Sequence, residues 1–439
     1  MTAAPQTLAQ KLVARACGRS AVTPGEFVTC GVDLAMFHDS SGPRRLKPLL
    51  AALGAEIWDK NKVVLVMDHY VPEADDESRR IVRIAREWAV EQRLPHVYDS
   101  QGICHVVVPQ HGHIRPGMFC VGGDSHSPTG GAFGAYMFGI GATEMLGVVV
   151  TGQIWLQVPQ TLFMQWDGTL ADGVCAKDMM LHMVGRFGMN GGQYQAVEFC
   201  GAAVQGLGMQ ERMTLANMSA ELGAQVGLVA PDDTTRQWLQ AHGAPDVETA
   251  PWFSDAGAPG VRHHFDAGTL TPQVALPHSP ANTRNADALS HTPVQVAYLG
   301  ACTGAKLEDL RAAARVLRGR RVAAGVQLLL APASVQDLNT ARAEGTLQPL
   351  LDAGATLLPS ACGACAGYGG AIAEGSTVIS STARNFKGRM GSATAQVYLG
   401  SPYTVAASAV RGCISDPREL LADRPAGAAG MTDPREPLA

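Results

Sequence analysis

Charged and aromatic residues are scarce in this sequence. Only 17% of its 439 residues are charged and 6% are aromatic, whereas 46% are hydrophobic. So little charge with so much apolar content excludes a disordered chain, and the length suffices for two or three folded domains. The net charge is −5, and the lysines and arginines are scattered along the sequence. This pattern provides no basic surface for nucleic acid, so we expect no nucleic-acid partner.

An uninterrupted apolar run long enough to span a membrane is absent from the sequence. The best candidate, MLGVVVTGQIWLQVPQTLFMQW from Met145, is broken by Gln153, Gln157, Pro159 and Gln160, and we predict that it is buried core. The N-terminal MTAAPQTLAQKLVARACGR has no apolar centre, unlike an export signal, and is typical of an amphipathic helix. With ten irregularly spaced cysteines, these features predict reduced thiols, no membrane partner and a cytoplasmic location.

The sequence contains one Cys-x-x-Cys pair and no second pair nearby. Cys362 and Cys365 lie in SACGACAGYGG, residues 360–370. A structural zinc site needs four closed ligands, so the missing second pair weighs against it. A thioredoxin-like redox pair usually opens a helix beside a bulkier residue than Gly or Ala. Both interpretations stay open, and the rest of the sequence has to supply further ligands.

Strands alternate with helices in the last third of the chain, after a linker that we expect at about 250–293. VQVAYLG, VQLLLAP, ATLLPS and STVISS are predicted strands, and helices are predicted over 306–319 and 334–345, with Ser334 as N-cap. This alternation predicts a parallel α/β sheet, in which ligands bind at the carboxyl ends of the strands. The domains are predicted to be α/β units over 1–120, 121–285 and 286–420, followed by a disordered tail over 421–439.

Three cysteines follow two of these predicted strands and should meet at one edge of the sheet. Cys302 follows VQVAYLG, and Cys362 and Cys365 follow ATLLPS. Three thiolates can hold a 4Fe-4S cluster that leaves one iron open, and this iron can act as a Lewis acid on a hydroxyl or carboxylate. Structural or redox cysteines remain alternatives. Cys413, in AVRGCISD, is a possible fourth ligand, although a buried thiol is the simpler interpretation.

Residues suited to binding carboxylates follow another predicted strand of the same sheet. The segment STARNFKGRMGS, residues 381–392, carries Arg384, Lys387 and Arg389. Arginine binds carboxylates in a bidentate manner, although a solvated basic loop is the alternative interpretation. Its place beside the cysteines favours a substrate with carboxylate groups.

The first half of the chain supplies candidate acid–base residues. KVVLVMDHY is a predicted strand that ends in Asp68 and His69, and His105 lies in DSQGICHVVVPQHG. Asp124 and His126 lie in the glycine-rich segment 122–144. An Asp near a His orients the imidazole and stabilises its charged form, as proton transfer requires. Four further histidines lie in polar loops and are assigned no role: His111, His113, His263 and His264.

Together and in order, these motifs resemble the aconitase superfamily, most closely the large subunits of the 3-isopropylmalate dehydratase and homoaconitase group. They are DHYVPE, GGDSHSPTGGAFGA, GACTGAKLEDLR, SACGACAG and STARNFKGR, within a resemblance that extends over about residues 6–420. It implies a three-domain α/β fold with parallel sheets that lacks the C-terminal swivel domain. It also implies a hydro-lyase that reversibly dehydrates, hydrates or isomerises a hydroxy dicarboxylate with a 4Fe-4S cluster.

The resemblance implies a role for each matching residue. Cys302, Cys362 and Cys365 match the cluster ligands. The residues that match acid–base positions are Asp68, His69, His105, Asp124, His126 and Glu221. The residues that match substrate-binding positions are Arg384, Arg389, Ser125, Asn217 and, in MFHDSS, His38. Asn217 and Glu221 lie in LANMSAELGAQ, one helical turn apart and therefore expected on one helix face.

The resemblance also implies a partner. Single-chain members carry a C-terminal swivelling domain with a serine base and another arginine, whereas the pattern here ends near YTVAASAVRGCISDP. In the two-subunit branch that domain is a separate small polypeptide. We therefore expect a small subunit that carries the proton-abstracting serine, and this chain alone should be nearly inactive.

Two residues depart from the family pattern. Gly304 and Ala383 stand where the family commonly has Asn, so two amides that could contact the cluster or the substrate are missing. They leave the substrate open and favour a less polar hydroxy-diacid, as in dimethylmalate or methylmalate dehydratases. The alternatives are a hydratase of a maleate-type diacid that does not isomerise it, a cluster-bearing sensor, and a structural zinc protein.

Overall fold

Three β-sheets and one antiparallel ribbon organise the chain. The computed structural model describes residues 4–244, 246–368 and 372–423. In chain order, each sheet is completed before the next begins, and helices connect most of the parallel strands.

The first sheet lies in the N-terminal third of the chain. Its helices and strands are α1 (Leu8–Ala16), β1 (Phe27–Gly31), β2 (Leu34–His38), α2 (Pro43–Leu53), β3 (Val63–Met67), α3 (Asp76–Gln92), β4 (His96–Asp99), α4 (Cys104–Gln110), β5 (Phe119–Gly122), β6 (Tyr136–Gly139), α5 (Ala142–Thr151) and β7 (Gln153–Gln157). Five strands pair in parallel in the order β4–β3–β2–β5–β6, while β1 and β7 form the ribbon. β3 is buried along its whole length, which explains its continuous apolar sequence VVLVM.

The second sheet has four parallel strands in the order β10–β9–β8–β11. Its helices and strands are β8 (Thr161–Asp167), α6 (Ala176–Phe187), β9 (Ala196–Cys200), α7 (Ala202–Gln205), α8 (Met209–Met218), β10 (Val226–Val229), α9 (Asp233–Ala241) and β11 (Val261–Asp266). The prediction of a linker at about 250–293 is therefore wrong, because β11 lies within it and pairs with β8 along the whole length of β11.

The third sheet has seven strands in the order β13–β12–β18–β17–β14–β15–β16. Its helices and strands are β12 (Gln273–Ala275), β13 (Thr283–Asn285), β14 (Val296–Leu299), α10 (Leu307–Leu317), β15 (Gln327–Leu330), α11 (Val335–Ala343), α12 (Leu347–Ala353), β16 (Thr356–Leu357), β17 (Thr377–Ser380), β18 (Gln396–Leu399), α13 (Pro402–Arg411) and α14 (Pro417–Ala422). The strands from β18 to β16 are parallel, which confirms the predicted α/β sheet. Ser334 caps α11 by accepting from the Asp337 N–H, also as predicted.

The boundaries expected from the sequence do not coincide with those of the sheets. A boundary at 120/121 falls inside β5, because the glycine-rich run that follows is a packed turn leading into β6. A boundary at 285/286 separates β12 and β13 from their own sheet. Leu421 and Ala422, expected in a disordered tail, complete α14. The predicted tail over 424–439 lies outside the described residues.

In the described part of the chain, no helix is long and apolar enough to cross a membrane. The apolar stretch from Met145 folds into α5, β7 and β8. Trp155 in β7 is 68% exposed, and its ring centroid lies 5.9 Å from that of Phe27, which is 69% exposed. The prediction that the whole stretch is core is therefore wrong at the ribbon.

The glycine-rich turn packs directly against the second sheet. A Cβ atom on Gly131 would lie 1.8 Å from the carbonyl oxygen of Gly227 in β10, so no side chain fits there. We expect Gly131→Ala to lower the free energy of unfolding by about 1–3 kcal/mol, as overpacking of a close contact does. Urea unfolding of the purified chain measures this change.

Gly147 provides the matched control. It lies within α5, and a Cβ atom there would meet nothing within 4 Å. Gly147→Ala should leave stability unchanged or raise it by about 0.5–1 kcal/mol, because alanine is the better helix former. Equal urea midpoints for the two variants would contradict the close packing of the turn.

Candidate active site

Asp68 and His69 follow β3 and form a buried hydrogen-bonded pair. His69 Nδ1 lies 2.7 Å from Asp68 Oδ1, and Asp68 Oδ2 accepts from the backbone N–H of Cys104 at 2.7 Å. Burial opposes the charge of His69, but the Asp68 and Asp124 carboxylates outweigh it and raise the pKa of His69 well above its usual value. An imidazolium held by a carboxylate can donate a proton from its other nitrogen.

His38 stacks on His69 and is uncharged. The ring centroids lie 3.8 Å apart at an interplanar angle of 12°. Burial, with the neighbouring charge of His69, lowers the pKa of His38 to about 3. His38 Nε2 lies 3.3 Å from the Gly123 carbonyl, whereas its buried Nδ1 has no hydrogen-bond partner among the described residues. His38, Asp39, Asp68 and His69 are metal-ligand types within reach of one another. The two parallel rings, however, cannot both direct a lone pair at one ion.

Asp39 was missed by the sequence analysis, although it follows the buried strand β2 as Asp68 follows β3. It is fully buried, and its two carboxylate oxygens accept from the backbone N–H groups of His69 at 3.1 Å and Tyr70 at 2.8 Å. Burial, then the nearby charge of Asp68, raises the pKa of Asp39 to about 6. Asp39 thereby fixes the turn that presents His69.

Asp124 is shared by three histidines at the glycine-rich turn. Its Oδ1 lies 2.9 Å from His105 Nε2 and accepts from the backbone N–H of His126 at 2.7 Å. Its Oδ2 lies 3.6 Å from His69 Nε2. Burial opposes ionisation, but the charge and hydrogen bond of His105 outweigh it, so the pKa of Asp124 is well below its usual value. Ser125, the next residue, is exposed.

Glu221 connects the second sheet to the other two. Its Oε1 lies 3.0 Å from His126 Nε2 and accepts from Arg384 Nε at 2.6 Å. Asn217 donates to Thr129 Oγ1 at 2.8 Å and to the Cys302 sulfur at 3.2 Å. The prediction that both residues share one helix face is wrong, since α8 ends at Met218 and Glu221 lies in the following turn. Both side chains nevertheless reach the same site.

The three candidate cluster cysteines lie at the carboxyl ends of β14 and β16, as predicted. The backbone N–H of Cys362 donates to the Asp68 carbonyl at 3.0 Å, which places the cysteine loop beside the acid–base pair. Cys302 is 7% exposed and Cys365 is 5% exposed, and all three have free thiols. A hydrogen bond from Cys362, and then the positive charge of Arg389, lower the pKa of Cys365 to about 6.

Cys413 lies away from these thiols. Its backbone pairs with Pro293, just before the amino end of β14, whereas Cys302 follows the carboxyl end of that strand. Its sulfur lies 3.8 Å from Ser415 Oγ. The interpretation of Cys413 as a fourth ligand is therefore wrong.

The residues present suit a cluster held by three thiolates. Cys302, Cys362 and Cys365 form no disulfide bonds with one another. Burial, and then the charge of Cys365, raise the pKa of Cys302. Several buried polar atoms around them have no hydrogen-bond partner within the described residues: His38 Nδ1, Asn217 Oδ1, Glu221 Oε2 and Arg389 Nε. Buried polar groups are rarely left unpaired, so this concentration indicates a place for polar ligands.

The structure explains why Gly304 has no side chain. A Cβ atom there would lie 2.2 Å from Ser381 Cβ, and Ser381 Oγ accepts from the backbone N–H of Gly300 at 2.9 Å. Ser381 thus fills the space that an asparagine at 304 would need. Ala383 is 1% exposed and packs with the apolar core of the second sheet.

Two buried lysines beside Cys302 were also missed by the sequence analysis. Lys177 is 1% exposed, and Lys306 is fully buried. Lys306 Nζ donates to the Cys302 carbonyl at 3.1 Å and to Asp309 Oδ2 at 2.6 Å. Lysine side chains are usually solvated. Lys177 and Lys306 are buried by contacts with segments distant in sequence, so no local pattern in the sequence predicts their burial.

Comparison with known proteins gives a consistent result. Residues 10–412 match the Aconitase family (aconitate hydratase). The chain is 40% identical to the 3-isopropylmalate dehydratase large subunit 1 of Methanopyrus kandleri, over 95% of this chain and 100% of the relative. It is 38% identical to the probable methanogen homoaconitase large subunit of Methanothermobacter thermautotrophicus, over 94% of this chain and 97% of the relative.

A solved structure shows a similar fold. The holo-form crystal structure of Thermococcus kodakaraensis aconitase X aligns with a TM-score of 0.50 over 90% of each chain. The sequence identity of that alignment is 12%, so it supports the fold alone.

Asp39→Asn tests the turn that presents His69. Asparagine has one acceptor oxygen, so either the His69 or the Tyr70 N–H loses its partner in a buried place. We expect the free energy of unfolding to fall by about 1–3 kcal/mol. Asp59→Asn is the control, because Asp59 caps an exposed turn that asparagine caps equally well. A urea midpoint for Asp39→Asn equal to that of wild type would contradict this role.

Proposed function

Since this chain belongs to the aconitase family, we propose that it is the large subunit of a hydro-lyase that reversibly dehydrates and hydrates a hydroxy dicarboxylate through a 4Fe-4S cluster. The family and its large-subunit relatives establish the hydro-lyase class. The substrate class follows from the names of relatives that act as 3-isopropylmalate dehydratase and homoaconitase. The cluster type, the residue roles and the partner belong to this proposal.

One observation carries the proposal. Thiols from the third sheet and acid–base residues from the first meet at one edge, where the Cys362 N–H donates to the Asp68 carbonyl. The second sheet adds Asn217, whose amide donates to Cys302. Ligands of parallel sheets bind at the carboxyl ends of the strands. Here residues from the parts of the chain that form all three sheets meet at one such place.

Cys302, Cys362 and Cys365 would hold the cluster, which when bound supplies a Lewis acid for the substrate hydroxyl and one carboxylate. Cys362 and Arg389 lower the pKa of Cys365 and favour its thiolate. Burial and then the charge of Cys365 raise the pKa of Cys302 to about 12, and the hydrogen bond from Asn217 opposes this increase. Residues of this chain alone make these contacts.

The chain's own residues supply the proton for the departing hydroxyl. His69 is held charged by Asp68 and directs Nε2 toward Asp124 Oδ2 at 3.6 Å. We assign the general acid to this imidazolium, which becomes neutral when it gives up the Nε2 proton. His105 and His126 orient Asp124, so the donor keeps its position during the transfer.

Arg384 and Arg389 bind the remote carboxylate in this proposal. Glu221 fixes Arg384 through a hydrogen bond to Nε, and the guanidinium has further donors for a bidentate contact. Holding that carboxylate sets the orientation of the C–O and C–H bonds before elimination.

A small second subunit completes the site in this proposal. The relatives named above are large subunits, and the chain spans nearly their whole length. We assign to the small subunit the serine that removes the substrate proton, as the resemblance to the two-subunit branch implies. Product analysis of the assembled enzyme separates an isomerase from a simple hydratase.

The free thiols favour a reducing compartment. All ten cysteines are free, including the site cysteines. Secreted proteins of this cysteine content usually carry disulfides, so we propose a cytoplasmic location.

Anaerobic reconstitution with iron and sulfide tests the cluster. Wild type should bind about four irons per chain, the complement of a 4Fe-4S cluster. Cys302→Ala, Cys362→Ala and Cys365→Ala should each lose most of this iron, whereas Cys413→Ala should retain it. Metal analysis and electron paramagnetic resonance provide the readout. Zinc in place of iron, or iron binding that survives loss of Cys302, would overturn the three-thiolate site.

The pH dependence of activity tests His69. The carboxylate of Asp68 raises the pKa of His69, so the acid form persists at neutral pH and is lost as pH rises through that raised value. Asp68→Asn removes the charge and lowers the pKa of His69, so the alkaline limb of kcat/KM should move to lower pH. The profile is measured with the small subunit present and the cluster loaded.

Asp99→Asn is the control for this profile. Asp99 is the last residue of β4 in the same sheet and forms an exposed ion pair with Arg86. Its replacement should leave both limbs in place. An alkaline limb that does not move in Asp68→Asn would remove His69 from the role of general acid.

A further inference from the structure

Lys177 joins the two loops that carry Cys302 and Arg384. It lies near the start of α6, in the second sheet's part of the chain, and is 1% exposed. Its Nζ donates to Thr303 Oγ1 at 3.1 Å and to the carbonyls of Ser381 at 2.9 Å and Thr382 at 2.7 Å. All three partners are neutral oxygens.

Other buried cations in the described chain have a carboxylate partner. Lys306 pairs with Asp309 at 2.6 Å, and Arg212, also fully buried, pairs with Asp232 at 2.7 Å. Charged groups are rarely buried without a counter-charge, because removing them from water is costly. The carboxylate whose charge most favours the ammonium of Lys177 is that of Glu221, which already pairs with Arg384. Lys177 therefore has no carboxylate among its described hydrogen-bond partners.

The cysteine site supplies the missing negative charge. Burial lowers the pKa of Lys177 to about 8, and the charges of Glu221 and then Cys302 oppose this decrease and favour the ammonium. A 4Fe-4S core held by three thiolates carries net negative charge, and its reduction potential depends on the charges and hydrogen bonds around it. Lys177 is not itself a candidate cluster ligand. It contacts Thr303, the residue that follows Cys302.

We propose that Lys177 is a positioning residue for the cluster, whose ammonium is the fixed counter-charge that raises the reduction potential and slows oxidative loss of the open iron. This inference rests on the proposed function. A positive charge stabilises the more negative, reduced state, so its removal makes the cluster easier to oxidise. The hydrogen bonds of Lys177 also hold the Cys302 and Arg384 loops in fixed register.

Lys177→Gln tests the charge while retaining a hydrogen-bond donor. The reconstituted protein should bind the wild-type amount of iron, show a more negative reduction potential in an anaerobic redox titration, and lose one iron several-fold faster in air. Lys177→Arg retains the positive charge, so its reduction potential should equal that of wild type. If glutamine prevents folding, Lys177→Met fills a similar volume without charge and serves in its place.

Lys11→Gln is the matched control, because it makes the same chemical change elsewhere. Lys11 lies on the N-terminal helix α1 and forms an ion pair with Asp255. It should alter neither the potential nor the rate of iron loss. An unchanged potential in Lys177→Gln, at full iron content, would overturn this inference and leave the proposed function intact. Failure of wild type to bind a cluster at all would instead overturn the proposed function.

Discussion

The site depends on one buried carboxylate, that of Glu221. Its side chain is fully buried and one oxygen contacts both His126, beside the first sheet, and Arg384, beside the third. Glu221 itself follows α8 of the second sheet's part of the chain. A buried carboxylate without such partners would be unstable, so the three parts must be docked for it to remain ionised. This requirement ties the acid–base residues to the arginine loop.

One rule of parallel sheets predicts where several of the candidate site residues lie. Residues that follow parallel strands meet at a common edge, and this rule correctly placed Cys302, Cys362 and Arg384 after β14, β16 and β17. The same rule would have found Asp39 after β2, since it follows a strand as Asp68 does.

Other features depend on contacts that no local pattern encodes. Lys177 reaches three oxygens more than 120 residues away, as the separations of 126, 204 and 205 residues show. The predicted boundary at 120/121 assigns the glycine-rich run to the second domain, but Gly131 packs against β10 and the run is a turn within the first sheet. The segment at about 250–293 looked like a linker because it is rich in turn residues, yet edge strands such as β11 need only short apolar patterns.

The long sequence separations within the site also constrain the order of events during biosynthesis. Glu221 contacts Arg384 across 163 residues, and His126 contacts Glu221 across 95. Contacts of this kind form late, since the entropy of closing long loops must be overcome before they are made. The ribosome must therefore release nearly the whole chain before the cysteine edge exists.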